Sequence, residues 1–544
     1  MRLTNHTAVA VLALVGCGVD AVDDSTATLR VEPADVSQVV TDGQPVSTQY
    51  RALLVTADGS ERDVTAESTF ALARPDLGTW QSSSLELRGA AVGPSAITAT
   101  FEGMTASTNL TVYAHTRIVE EDVVNMPAWF DALRSDETCF PFVMYPEGGT
   151  ILPSNLDGID AQWADFANDR FEVSFATQYA TVELYTRNHE RALSADAWAQ
   201  LASTHEPIMF HVSSLSSGSP TKVCTSQDRR LLVSDKPLTG AIYTWSDGGG
   251  IWRQDAATRG EPEPMIMPGT GNITQMQTAP LVTSCSGCAV SRSGARMALR
   301  LDSGIGTILD FTQDRVMQPT SWSSATFTRN ADKLVIAQDG ILKLIDETGG
   351  ELATLVNTPN KTAMDPQFSP DGSKLVSVES SGFSSSGTGN LVVRTFMDDG
   401  NVFGNPAQLV GGGPGVANYS PSWSPDGKWL AYTRTSGWGT SSPLTSIWVI
   451  KTDGTEQPIQ LVAPTSDVDM AARWAPGAHS LNGEAFYYLT FDSQREYGAN
   501  DIGRQIWMMA FFPQTGFARP AFHVPFQSLE TSNHVAQWAD ALVR

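Results

Sequence analysis

Two cysteines in the second half of the chain have a spacing that can hold a metal or carry redox chemistry. They stand in the run Cys285-Ser286-Gly287-Cys288-Ala289. A c-type haem attachment needs a His directly after the second Cys, and Ala289 stands there instead. Zinc would need a second pair of ligands, and no further Cys or His cluster is visible. We therefore expect no metal and no cofactor, and interpret Cys285 and Cys288 as a local disulfide. A redox or degenerate c-type-haem-like role for the pair is the alternative hypothesis.

Motifs for hydrolysis or phosphate binding are missing from the sequence. It contains no Gly-x-Ser-x-Gly elbow, no His-Glu-x-x-His pair and no glycine-rich phosphate loop. The formal net charge is −24, and such acidity repels the phosphate backbone of nucleic acids. We expect a protein that is not an enzyme and has no nucleic-acid partner.

A turn between two strands recurs four times in the second half of the chain. The clearest copies are Phe368-Ser369-Pro370-Asp371-Gly372 and Trp423-Ser424-Pro425-Asp426-Gly427, and weaker ones begin at Phe327 and Trp474. Proline presets the first turn angle and glycine supplies positive φ, so each copy predicts an antiparallel hairpin. The copies start 41, 55 and 51 residues apart. This spacing is typical of one four-stranded β-propeller blade per repeat.

The repeats also predict how the propeller closes. Strands at residues 241–245, 250–253 and 264–266 lack an inner partner, and inner strands follow near Val290, Phe327, Phe368, Trp423 and Trp474. A sixth inner strand, residues 536–539, comes only at the end of the chain. We expect it to pair with residues 241–245, since closure removes open sheet edges. Residues 239–544 are thus predicted to form six blades.

Inner strands begin around the central channel of a propeller, so the residues there are candidates for binding. Aligning the strands gives the candidates Trp322, Asn418, Tyr419, Asp469, Asn533 and His534, and Asp365 lies next to the aligned positions. Asp365 and Asp469 would make this mouth of the channel negative. We predict that it binds a protein or peptide partner. The alternative is that these side chains only fill the channel around ordered water.

Two segments before the propeller alternate apolar and polar residues in short runs, which is typical of β-sandwiches. They are residues 28–115 and residues 116–238. The second contains a strand with a buried type of tryptophan, Trp163, and one predicted helix, residues 194–203, capped by Ser194. Cys139 and Cys224 lie near its two ends. In an oxidising cell envelope we expect them to form a disulfide.

The first 17 residues have the pattern of a signal peptide. Arg2 precedes an apolar run at residues 8–15, which is too short to span a bilayer. The ending Leu14-Val15-Gly16-Cys17 resembles the lipobox of bacterial lipoproteins. The resemblance implies that Cys17 carries lipid and anchors the protein to a membrane, with residues 18–27 as a tether. Gly18 after the cysteine favours the outer membrane, on its periplasmic or its outer face.

The propeller segment resembles a known family through two features. The Ser-Pro-Asp-Gly hairpins and the strand Ile447-Trp448-Val449-Ile450 are similar to the TolB-type repeat.

The segment Leu29-x-Val31-x-Pro33 and the turn Ala57-Asp58-Gly59 resemble the group-2 bacterial immunoglobulin-like (Ig-like) domain, and residues 116–238 have fibronectin type III character. The predicted fold is all-β, with two N-terminal Ig-like sandwiches followed by a six-bladed TolB-type propeller. The resemblance implies protein or peptide partners in the envelope. Surface adhesion or carbohydrate binding through the Ig-like domains is the alternative.

Overall fold

The computed structural model describes most of the chain. The described residues are 27–543 without residues 124, 137, 157, 247–249, 257–261, 267–287, 301–303, 314, 383–387, 414, 437–444, 462–467 and 500–502. The predicted leader, Cys17 and Cys285 lie outside them. The chain divides into two compact units, the first made of residues 1–40, 44–89 and 93–113, and the second of residues 41–43, 90–92 and 114–544. Within the described part, no helix has the length and hydropathy needed to cross a membrane.

The first unit is built from short antiparallel strands. They are β1 (Thr28–Glu32), β2 (Val36–Thr41), β3 (Val46–Gln49), β4 (Arg51–Val55), β5 (Glu61–Asp63), β6 (Thr69–Leu72), β7 (Gly78–Gln81), β8 (Ser84–Leu87), β9 (Gly93–Phe101) and β10 (Met104–Val119). Strand order is β1-β4-β5 in one sheet and β3-β8-β7 in another, while β9 pairs with β6 and β10, and β2 pairs with β10. Alternate residues of β9, Ile97, Ala99 and Phe101, are buried, as the period of two in its sequence requires.

The second unit begins with strands and two helices. They are α1 (Met126–Ala132), β11 (Ser135–Asp136), β12 (Phe142–Tyr145), β13 (Ile151–Leu152), β14 (Ile159–Ala164), β15 (Arg170–Ala176), β16 (Ala180–Thr186), β17 (Glu190–Leu193), α2 (Ala195–Ala202), β18 (Ile208–Leu215), β19 (Val223–Thr225) and β20 (Arg229–Val233). Strands β12, β14 and β17 form one sheet, and β11-β19-β18-β15-β16 run side by side in another. Residues 114–119 of β10 pair in parallel with β16.

Three local predictions for this segment are confirmed. Trp163 lies in β14 and is buried. The Ser194 hydroxyl caps α2, since it accepts a hydrogen bond from the amide of Ala197 at 3.3 Å. Cys139 and Cys224 form a disulfide, with their Cα atoms 5.0 Å apart.

The rest of the second unit consists of antiparallel sheets that follow one another along the chain. The strands are β21 (Ala241–Ser246), β22 (Gly250–Asp255), β23 (Glu263–Ile266), β24 (Ala289–Val290), β25 (Arg296–Arg300), β26 (Gly306–Asp310), β27 (Arg315–Met317), β28 (Ser324–Phe327), β29 (Lys333–Gln338), β30 (Ile341–Asp346), β31 (Glu351–Thr354), β32 (Thr362–Phe368), β33 (Lys374–Ser380), β34 (Gly389–Met397), β35 (Val402–Phe403), β36 (Ala407–Val410), β37 (Val416–Trp423), β38 (Trp429–Ser436), β39 (Ser446–Lys451), β40 (Ile459–Gln460), β41 (Asp469–Trp474), β42 (His479–Leu481), β43 (Glu484–Ser493), β44 (Gln505–Phe512), β45 (Phe517–Ala518), β46 (Phe522–His523) and β47 (Asn533–Ala539).

The predicted hairpins are present, and their turn residues explain them. Strand β32 pairs antiparallel with β33 across the turn, and β37 pairs with β38 in the same way. In the first turn the hydroxyl of Ser369 donates to Asp371 at 2.6 Å, and Gly372 has a φ of 76°. The Asp371 carboxylate also accepts the amide of Ser373 at 3.0 Å. Side chains thus satisfy the turn while glycine takes the left-handed conformation.

The end of the chain completes the first of these sheets, as predicted. Strand β47 pairs antiparallel with β21, with Ala241 opposite Ala539 and Ser246 opposite Asn533. The sheet order is then β23-β22-β21-β47, and the next two sheets run β24-β25-β26-β27 and β28-β29-β30-β31. Successive four-stranded meanders, with the first closed by a strand from the C-terminus, define a β-propeller. The chain is therefore all-β, with a propeller in its second unit.

Candidate functional site

Four inner strands of the propeller contain a bulge at equivalent positions. The bulged residues have positive φ: Asp365 (47°), Ser420 (48°), Ala471 (53°) and Val535 (55°). The register of each strand with its neighbour shifts at the same place. A bulge bends its strand and changes the direction of the next side chains. The residues that face the channel are therefore not the ones that simple alternation predicts.

The backbone amides of these bulges find acceptors on neighbouring strands. The pairs and their distances are Asp365 N to Ser324 Oγ (3.0 Å), Ser420 N to Asp365 Oδ2 (3.3 Å), Ala471 N to Thr433 Oγ1 (3.0 Å) and Val535 N to Asp492 Oδ1 (3.0 Å). Because a strained conformation persists only where its surroundings hold it, these bonds fix the geometry of the channel.

The inner strands enclose a cavity of about 150 Å³ beside the bulges. Each of β24, β28, β32, β37, β41 and β47 contributes to its lining, with Val290, Ser324, Asp365, Ser420, Arg473 and Gln537 respectively. A second cavity of about 170 Å³ shares Gln367, Arg473 and Gln537 with the first and reaches the turn residues Ser369 and Pro370. The channel therefore has polar side chains between its bulges and its hairpin turns.

Charged groups in and behind this cavity act on one another. Burial raises the pKa of Asp365 above its usual value, which the amide of Ser420 and the charge of Arg473 offset only in part. Burial raises the pKa of Asp492, whose carboxylate accepts the amide of the lining residue Val535, to about 7. Burial also lowers the pKa of Arg473, against the effect of both carboxyl groups, yet a guanidinium remains protonated in proteins. Arg473 is thus a buried cation next to two carboxyl groups that hold protons more tightly than usual.

Of the seven residues predicted at the channel mouth, Asp365 lines the cavity and the other six do not. Trp322 is buried, and its ring lies so close to Gly306 that a Cβ there would be 2.1 Å from it. Asn418 is buried and joins two strands, because its side chain donates to Gly389 O and accepts from Arg434 Nε, both at 2.8 Å. Tyr419 and His534 are half-buried.

The remaining two of the seven are held inside the protein. Asp469 is buried and forms an ion pair with Arg495 at 2.9 Å. Asn533 is buried, and its side-chain amide donates to Gln505 Oε1 at 2.9 Å and to Ser528 O at 2.7 Å. Both side chains therefore make contacts within the protein at the first residue of their strands, β41 and β47.

Sequence reasoning missed Arg473, Gln367 and Gln537. Each of them directly precedes an aromatic residue of an inner strand, namely Trp474, Phe368 and Trp538. These aromatic side chains pack between sheets, so the residue before each points to the opposite side, toward the channel. A polar residue directly before the aromatic residue of an inner strand was the signal that could have identified these three residues.

The cysteine pair predicted from the sequence is only partly within the described residues. Cys288 is disulfide-bonded and contributes to the lining of the 150 Å³ cavity. Cys285 lies outside the described residues. The Cys285–Cys288 pairing and its redox alternative therefore stay predictions.

The fold and the cavity define a β-propeller protein with a polar channel. No family model and no curated protein matches the sequence. Solved structures similar to it include an oligogalacturonate lyase in complex with manganese (TM-score 0.31, 15% identity, 43% of this chain and 65% of that one). Others are a nidogen/laminin complex (0.35, 11%, 56% and 99%) and the Cps50 (Swd1) propeller domain of Myceliophteria thermophila (0.31, 9%, 70% and 98%). The chain spans less than two thirds of the length of the oligogalacturonate lyase.

Proposed function

We propose that the protein is a non-enzymatic binding protein whose propeller takes part of a protein or peptide partner into its channel. The observation that carries this proposal is the cavity to which every inner strand contributes, with Asp365, Arg473 and Gln537 in its lining. A cavity of about 150 Å³ holds one side chain or chain end, so the rest of the partner would lie on the face of the propeller. β-propellers serve both enzymes and scaffolds, and so the fold alone does not assign the function.

We infer that the propeller has six blades. The inner strands β24, β28, β32, β37, β41 and β47 each begin an antiparallel sheet, and all of them contribute to one cavity. Strands β34 and β37, which belong to successive blades in this interpretation, are linked by the single parallel pair Gly389 and Ala417. This link explains why the two groups of strands share a nine-stranded sheet.

The same proposal places the protein in the cell envelope. The lipobox-like ending at Cys17 supports a lipid anchor at the outer membrane, and the confirmed Cys139–Cys224 disulfide is typical of an oxidising compartment. The first unit would then be a group-2 Ig-like spacer, and residues 116–238 a fibronectin type III-like module. The spacers would carry the propeller away from the membrane.

Site-specific photo-crosslinking tests the binding function. Benzoylphenylalanine at Gln537 should crosslink the full-length protein to a discrete partner from a cell-envelope extract. The same group at Gln313, an exposed residue in the turn after β26, is the matched control. A partner captured at Gln537 and not at Gln313 would support the proposal. Identical products at the two positions, or none at Gln537, would overturn it.

A second candidate function, carbohydrate binding or adhesion, is favoured by one exposed aromatic patch. Phe140, Phe142 and Phe166 are 66%, 63% and 103% exposed. Phe142 lies on the edge strand β12 opposite Ala164, and the same register continued by two residues would set Phe140 opposite Phe166. Exposed aromatic side chains at the edge of a sheet are typical of binding surfaces.

Glycan-array binding by the full-length protein tests this second candidate. Phe142→Ser and Phe166→Ser should each lower any carbohydrate signal. Phe517→Ser, which alters a similarly exposed residue of the propeller, should leave it unchanged. A signal that is equal in all three variants would remove the patch from consideration.

A further inference from the structure

One edge of the Arg473 guanidinium has no partner among the described residues. Its Nη1 atom donates to the carbonyl oxygens of Ala472 at 2.8 Å and Ser420 at 3.4 Å. Nε is buried without an acceptor, no described residue accepts from Nη2, and Arg473 forms no ion pair with a described residue. A buried unsatisfied donor is costly, so an acceptor that reached this edge would be bound favourably.

Arg473 contributes to the lining of the cavity, so a ligand there can contact its guanidinium. The residue lies deep in the protein, yet it keeps accessible surface and lines both the 150 Å³ and the 170 Å³ cavities. Gln537 lines the same two cavities and adds a polar side chain beside Arg473. The Nε–Nη2 edge of a guanidinium matches the two oxygens of a carboxylate and binds them with two parallel hydrogen bonds.

The charged groups around Arg473 affect how strongly an anion would bind to it. Oδ2 of Asp365 accepts the amide of Ser420, and both oxygens of Asp492 accept the amide of Val535 at 3.0 and 3.1 Å. The charge of Arg504 acts to lower the pKa of Asp492 and of Tyr419, and the charge of Asp365 acts to raise the pKa of Tyr419. Burial raises the pKa of both carboxyl groups. The raised pKa of Asp365 weakens the repulsion that this carboxyl group would exert on an incoming anion.

We propose that the Arg473 guanidinium binds a carboxylate inside the propeller channel. The inference rests on the proposed function, since the carboxylate would belong to the part of the partner that enters the channel. A free small carboxylate has the same chemistry and is the second source.

Calorimetric titration of the full-length protein tests the proposal. Two pairs of probes differ only in charge: acetate with acetamide, and Ac-Ala-Glu-Ala-NH2 with Ac-Ala-Gln-Ala-NH2. The carboxylate of a pair should bind at least about tenfold more tightly than its neutral partner. Arg473→Lys should remove about tenfold of that affinity, because lysine cannot form the bidentate pair. Affinity for acetate alone would assign the site to small carboxylates, and affinity for the Glu peptide would assign it to a partner chain.

A second variant keeps the test decisive if Arg473→Lys does not fold. Gln537→Glu adds a negative charge to the cavity lining without removing the buried cation, and should abolish carboxylate binding. Gln313→Glu adds the same charge on an exposed turn and should have no effect. Equal affinity for the charged and neutral probes, or carboxylate binding that survives Gln537→Glu, would overturn the inference. If carboxylate binding fails these tests but a partner is crosslinked at Gln537, the proposed function stands and this inference is wrong. If a carboxylate binds but no partner is crosslinked, the anion site stands and the proposed function is wrong.

Discussion

The backbone amide of Ser420 donates a hydrogen bond to Oδ2 of Asp365, 3.3 Å away on the preceding inner strand of the channel. Both residues have positive φ, 48° and 47°. The side chain at one bulge thus holds the backbone of the next bulge. Aspartate suits this position because it tolerates the left-handed conformation and supplies the acceptor.

Asp365→Ala should destabilise the protein by about 1–3 kcal/mol. It leaves the amide of Ser420 without an acceptor and places alanine at a positive φ. Asp365→Asn keeps an acceptor oxygen and tolerates the same backbone, so it should lose much less. Urea denaturation of the two variants measures the difference in the free energy of unfolding. Equal losses in both variants would mean that the hydrogen bond is not what stabilises the bulge.

Asp492 should make stability fall as the pH rises from about 4 to about 7. Its pKa is raised from 3.8 to about 7 by burial, so the folded state holds the proton more tightly than the unfolded state. The stabilisation is complete below the unfolded pKa and is lost as the pH passes the folded one. Asp492→Asn cannot titrate, and the pH-dependent difference from wild type should be about 2–4 kcal/mol.

Asp371→Asn provides a control with the opposite sign. Hydrogen bonds from Ser369 and Ser373 lower the pKa of Asp371 to about 2. Its contribution should be present above the unfolded pKa and be lost as the pH falls toward 2. Unfolding curves measured across this pH range separate the two residues. If the free energy of unfolding of wild type and of Asp492→Asn changed in the same way between pH 4 and pH 7, Asp492 would not be the group with the raised pKa.

The buried ion pair between Arg394 and Glu379 should be costly to break from one side. Both side chains are fully buried, and Arg394 also donates to Ser377 Oγ and Val356 O, each at 2.9 Å. Arg394→Met should cost about 3–5 kcal/mol, because it leaves the Glu379 charge without its partner. The double variant Arg394→Met/Glu379→Leu should recover part of this loss. A double-mutant cycle measures the coupling, and simple additivity would contradict the prediction.

The disulfide between Cys139 and Cys224 should stabilise the second unit by about 4.6 kcal/mol in the loop-entropy description. The two cysteines are separated by 85 residues, so the bond restricts a long loop of the unfolded chain. Cys139→Ala/Cys224→Ala should lower the melting temperature under oxidising conditions. Any further decrease of this variant in dithiothreitol would come from the disulfide of Cys288. An unchanged melting temperature would show that the loop is already restricted in the unfolded state.

Much of the fold could be predicted because the relevant signals are local. The Ser-Pro-Asp-Gly turns build their own hydrogen bonds within five residues, as Ser369 and Asp371 do. The pairing of β47 with β21 followed from a strand without a partner near each end of the propeller segment. The Cys139–Cys224 disulfide followed from the positions of two cysteines in one segment.

The arrangement of the channel was decided by tertiary structure alone. The bulges at Asp365, Ser420, Ala471 and Val535 shift each inner strand out of simple alternation, so residues such as Asn418 and Asp469 lie inside the protein. The acceptor that binds the amide of a bulge comes from another strand, distant in sequence, and no local pattern encodes it. Arg473 and Asp365 approach each other only because separate strands converge on the channel axis. The hydrogen bonds of a turn can be inferred from neighbouring residues. Charged residues on separate inner strands, in contrast, come together only when the propeller has closed.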